Sequence, residues 1–216
     1  MKKNGFTLAE VLITLGIVGV IAAITLPSLM ADTTAAQIGP KLAKAVSMFE
    51  QANEALLNAN SVDSLTDFGL EIAGGYYPAP EYSNELAKFF KFSDLGSGKY
   101  LSKDGMIYNF TEIDLKFDNA TDPAHKQNIG RLTIDINGDS KPNADGTDIF
   151  HFTWWNDGSL RPMGGIGWNG LSSSNKGGAS HWEKQCPRAE DGTPTTSGYM
   201  YCAGHVFENN LKVLYR

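Results

Sequence analysis

Glu10 stands where a side chain of its kind is costly. The 21 residues after it, Val11 to Ala31, carry no ionisable group. At ~1.5 Å per helical residue that run matches a hydrocarbon core of roughly 30 Å. A carboxylate at the end of such a segment costs on the order of 2 to 3 kcal/mol unless it is protonated, reaches the interface or meets a cation. The chemistry this suggests is ion pairing with a partner at the same depth. Snorkelling of Glu10 to the membrane surface is the plainer alternative.

Asp135, Asn137 and Asp139 alternate in a glycine-containing stretch that continues through Asn143, Asp145 and Asp148. Carboxylate and amide oxygens so spaced suit Ca²⁺, a hard cation that takes six to eight oxygen ligands. The stretch is no EF-hand, because the twelfth residue from Asp135 is Gly146 rather than glutamate. An Asx-rich turn without metal is the competing reading. His125, His151, His181 and His205 are scattered, and no Gly-x-Ser-x-Gly, His-Glu-x-x-His or phosphate-loop pattern occurs. The expectation is a protein that is not an enzyme.

The elements that must hold these groups divide at about Asn60. The apolar run continues into an amphipathic stretch with Leu42, Val46, Phe49 and Leu56 on one face. One helix from Phe6 to Asn58 is predicted, on the order of 80 Å long, with weak points at Pro27 and Gly39-Pro40. Residues 59–216 turn rich in glycine, proline, asparagine and aromatics, as strands joined by turns require. Glu85 to Phe92 reads as a short helix, and Pro78 and Pro80 as a loop. Met106 to Thr111 and Leu132 to Asp135 read as strands, and Ile149 to Trp154 followed by Asn156-Asp157-Gly158 as a hairpin. The fold class is α+β, a long N-terminal helix packed at its C-terminal half on an antiparallel sheet. Trp154, Trp155, Trp168, Trp182, Tyr199 and Tyr201 read first as packing residues and second as a sugar- or protein-binding face.

With 18 Lys+Arg against 24 Asp+Glu, the net charge of -6 argues against a nucleic-acid surface spread over the whole protein and leaves room for a local basic patch. Lys2 and Lys3 precede the apolar run and no basic residue follows before Lys41, which puts the N-terminus in the cytoplasm and residues 32–216 on the exported side. A cleaved secretory signal is disfavoured by the length of the run, by Glu10, and by Leu29 where a cut after Ala31 needs a small residue.

Gly5-Phe6-Thr7-Leu8-Ala9-Glu10, after Lys2-Lys3 and before Val11-Leu12-Ile13, resembles the type IV prepilin signature shared by type IV pilins and the pseudopilins of type II secretion. The resemblance covers about the first 30 residues. It implies cleavage between Gly5 and Phe6 by a prepilin peptidase, N-methylation of Phe6, and a helix-kinking role for Pro27. Loss of Lys2 and Lys3 with the leader takes the net charge from -6 to -8. The new ammonium on Phe6 of one subunit can neutralise Glu10 of its neighbour and fix axial register. The family also includes pseudopilins that use calcium in their C-terminal region.

Cys186 and Cys202, on the exported side, are expected to form a disulfide, as in the C-terminal loops of many type IV pilins. A zinc site of His181, Cys186, Cys202 and His205 is the rival. The Asn109-Phe110-Thr111 and Asn119-Ala120-Thr121 sequons read as incidental beside a bacterial export motif.

The organisation expected is a leader at 1–5, a helix at 6–58 whose residues 6–31 span the membrane or line a filament core, and a head at 59–216. The function expected is a structural subunit of a type IV pilus or type II secretion pseudopilus. Its partners would be the prepilin peptidase, other pilin or pseudopilin subunits and an inner-membrane assembly platform. A filament-displayed binding module, and an exported enzyme that uses residues 6–31 as a tether, are the alternatives.

Overall fold

A computed structural model describes residues 7–70, 72–73, 77–111, 128–164, 186 and 201–211. The chain forms two units, Met1–Gln37 and Ile38–Arg216. Helix α1, Leu8–Asn60, has 53 residues and contributes to both. It runs through Pro27 and through Gly39-Pro40 without interruption, so neither expected weak point ends it. Within the first unit, Leu8–Leu26 is long and apolar enough to cross a membrane, and none of it is buried inside the protein.

In the second unit α1 presents Ile38, Leu42, Ala45, Val46, Phe49, Ala52 and Leu56 to the core. These fall at helical spacing, which is why one face is dry. The opposing layer is a six-stranded antiparallel sheet. Its strands are β3 (Phe92–Gly96), β4 (Lys99–Ser102), β5 (Ile107–Thr111), β6 (Asn128–Asp135), β7 (Ile149–Trp155) and β8 (Leu160–Pro162), each beside its sequence neighbour. Alternate residues Tyr100, Tyr108, Phe110, Leu132, Ile134, Phe150, Phe152 and Trp154 point at the helix and are buried. Phe49 sits among the rings of Phe90, Tyr108, Phe110 and Trp154, with centroids 5.8 to 6.5 Å away. Burial of one such side chain contributes roughly 1.5 to 3 kcal/mol.

The α+β expectation is thus met, with corrections in detail. The short helix falls at α2, Pro80–Leu86, ahead of the predicted Glu85 to Phe92. Pro80 lies in its first turn, where a missing N–H costs nothing. Tyr77–Pro78 is a short strand, β2, paired with β1 (Ile72–Ala73) rather than open loop. The β3–β4 hairpin has no counterpart in the sequence reading, because the misplaced helix covered its start.

Polar bonds tie α1 to the sheet and to α2. The Tyr108 hydroxyl donates to the Ala45 carbonyl at 3.0 Å. The Tyr82 hydroxyl donates to Oδ1 of the fully buried Asn53 at 2.6 Å, while Asn53 Nδ2 donates to the Phe49 carbonyl. Helix α3, Cys202–Glu208, packs Phe207 edge-on to Phe152 at 6.0 Å. Chain just beyond it returns to α1: a Cβ added to the buried Gly39 would lie 1.8 Å from the Leu211 carbonyl oxygen.

Candidate functional site

The start of α1 is closed by a capping box. Thr7 donates its backbone N–H and its hydroxyl to Glu10 Oε2, both at 2.8 Å, and Glu10 N–H donates to Thr7 Oγ1 at 3.2 Å. Two donors that a helix start leaves orphaned are thereby satisfied. The capping role of Thr7 escaped the sequence reading, although Thr-x-x-Glu before an apolar run is a legible signature. The arrangement leaves Glu10 exposed at the head of an exposed apolar helix. Gly5 and Phe6, the expected cleavage and methylation residues, lie outside the described residues. Pro27 lies within α1, its backbone helical.

The acidic loop is organised around Asp148, which is 3% exposed. Its Oδ1 accepts from Ala144 N–H at 2.7 Å. Its Oδ2 accepts from Asn143 N–H at 2.9 Å and from Asn137 Nδ2 at 3.0 Å. Asp135 Oδ1 accepts from Asn137 N–H. Burial raises the Asp135 carboxyl above its usual range, and the charges of Asp148 and Asp139 push the same way, against hydrogen bonds from the Asn137 and Gly138 amides. Asp145 pairs with His151 Nε2 at 2.8 Å, which lowers its carboxyl. Asp139 lies exposed on the turn. Asn137 Oδ1 is buried and accepts no bond. Among the described residues no group of three or more His, Cys, Asp or Glu side chains is arranged to hold a metal ion. The six residues named from the sequence share one loop, in which both Asp148 oxygens, Asp135 Oδ1 and Asp145 Oδ1 are engaged by protein partners.

Cys186 and Cys202 are joined in a disulfide. The zinc alternative fails on that bond, since its two thiolates do not exist, and His181 lies outside the described residues. Trp154 and Trp155 are buried, Trp154 among Tyr82, Phe110 and Phe49, so they form no ligand face. Tyr201 is half-buried. Trp168, Trp182, Tyr199, His125 and the Asn119 sequon lie outside the described residues.

Residues 1–26 match the family described as the prokaryotic N-terminal methylation motif. The chain carries a prepilin-type cleavage and methylation motif. No curated protein and no solved structure matches it. The motif supports a pilin-type precursor, processed by a peptidase and assembled with other subunits. The capping box lies wholly inside the matched segment, as does the membrane-length stretch Leu8–Leu26.

Proposed function

We propose that this chain is the precursor of a filament subunit, of the type IV pilus or type II secretion pseudopilus kind. A prepilin peptidase cuts between Gly5 and Phe6, and Phe6 is N-methylated. The subunit waits in a bacterial inner membrane with its N-terminus cytoplasmic and residues 32–216 exported. An assembly platform then extracts it into a helix-cored periplasmic pseudopilus or surface pilus. Residues 6–31 line the filament core, and the head, 59–216, forms its surface.

The observation that carries this reading is the motif match over residues 1–26, with Glu10 inside it at the head of an apolar helix whose Leu8–Leu26 stretch is exposed among the described residues. Such a helix needs lipid or other helices around it. A carboxylate there needs a cation, and the ammonium of a neighbouring Phe6 supplies one at the right depth.

N-terminal sequencing and intact mass of the exported protein test the proposal. A chain beginning with methyl-Phe6 is expected. A start at Met1 or at Asp32 rejects it.

A further inference from the structure

The sheet is polarised in charge from one edge to the other. At the β3 edge, Lys91, Lys99 and Lys103 are exposed and make no ion pair among the described residues, whereas Lys44 and Lys88 are paired with Asp104 and Glu85. The strand register places Ser93 opposite Leu101, so by alternation Lys91 and Ser93 share the outer face with Leu101 and Lys103, and Leu95 sits at a bulge between Asp94 and Gly96. Leu95 is 52% exposed there. A shallow depression of about 360 Å³ lies between the two lysines, lined by Lys91, Phe92, Ser93, Leu101, Ser102 and Lys103. Of the acids near this edge among the described residues, Asp94 Oδ1 accepts the Gly96 N–H and Asp104 is paired with Lys44.

The β8 edge has the opposite sign. Its backbone is partly closed, since Leu160 N–H donates to Glu50 Oε1 at 2.8 Å and Pro162 offers no N–H. The β7–β8 turn is stapled to the loop after α1: Leu65 N–H donates to the Asn156 carbonyl, Thr66 N–H to Asn156 Oδ1, and Asn156 Nδ2 to Thr66 Oγ1. That staple gathers exposed Asp63, Asp67 and Asp157 beside Glu50 and Glu54, with no ion pair among the described residues to any of them. Arg161, the cation on this edge, is stacked on Trp155 at 3.6 Å. Five strand spacings, about 24 Å, separate the two edges.

We infer that the Lys91–Lys103 edge of one head docks the Asp63–Asp67–Asp157 edge of a second copy of this chain. The occupant follows from charge complementarity: a free basic patch stands opposite a free acidic one on a single chain. A contact between two different patches is heterologous, and it repeats into a filament rather than closing as a dimer. The inference rests on the filament-subunit proposal and adds which faces of the head meet.

Cysteine cross-linking of the full-length chain in cells tests it, because the native cysteines are already bonded to each other. Chains bearing Ser93→Cys and Asp63→Cys, treated with a short bis-maleimide, should give a covalent ladder, and each single variant should stay monomeric. Lys91→Glu with Lys103→Glu should reduce the ladder at least tenfold, and adding Asp63→Lys and Asp67→Lys, with the cysteine moved to Asp157→Cys, should restore it. Adducts of Ser93→Cys with itself or with another protein overturn the inference. So does an absent ladder where the parent chain assembles, leaving the filament proposal standing. A parent that never assembles overturns both.

Discussion

The Thr7 amide and the Thr7 hydroxyl converge on one oxygen, Glu10 Oε2, each at 2.8 Å. The carboxylate that assembly would require is thus held in place by its own chain before any second subunit arrives. Glutamine can keep the cap, because its amide oxygen still accepts, but carries no charge. Glu10→Gln should therefore leave membrane abundance at the parental level and lower filament yield at least tenfold. Thr7→Ala removes the cap at about 1 kcal/mol and should lower yield far less. Electron microscopy of sheared filaments beside an immunoblot of membranes checks both, and parental yield from Glu10→Gln would refute the charge-pairing role.

Gly39→Ala is expected to destabilise the head, against the usual gain of roughly 0.5 to 1 kcal/mol for replacing a helix-interior glycine. The added methyl would collide with the Leu211 carbonyl, a backbone group that cannot rotate away. A drop of several degrees in the thermal midpoint is the expected reading, and a rise would show that the C-terminal chain does not rest on α1.

Removing the Tyr82 hydroxyl leaves Asn53 Oδ1 buried without its donor. Tyr82→Phe should cost about 1 to 3 kcal/mol, the desolvation penalty of an orphaned polar group. Urea unfolding with an unchanged slope would give the difference directly.

His205 is 6% exposed, and burial pushes its imidazole down to about 4. Unfolded, it titrates near 6.5. The unfolded chain therefore binds a proton first as pH falls, so the stabilisation present above about 6.5 is lost progressively down to about 4, on the order of 3 kcal/mol. Glu50 and Asp135, whose carboxyls burial raises, act in the opposite direction as they protonate. His205→Gln should consequently melt with a shallower loss between pH 7 and 4.5 than the parent. Parallel profiles would remove His205 as the cause.

Asp148 accepts hydrogen bonds from Ala144 N–H, Asn143 N–H and Asn137 Nδ2, which hold the acidic loop. A chelator is accordingly expected to leave the melting midpoint within about 1 °C, whereas Asp148→Ala should lower it by several degrees, since it orphans three donors. A chelator shift of several degrees would restore Ca²⁺ to the loop.

Sequence alone determined the features that depend on neighbours along the chain. The apolar run, Glu10 just ahead of it, the long helix and the α+β class were all legible, because helix periodicity, hydrocarbon thickness and a short peptidase motif are local properties. Thr7 was equally legible as half of a capping box. What only the tertiary structure decided involves pairs far apart in the chain. Gly39 became a seat for Leu211, Asn53 a partner for Tyr82, and the Asp148 oxygens acceptors for the Ala144 and Asn143 amides and the Asn137 side chain. Segregation of lysines and aspartates to opposite sheet edges was likewise invisible, because charge order along the chain says nothing until strand pairing fixes which residues share an edge.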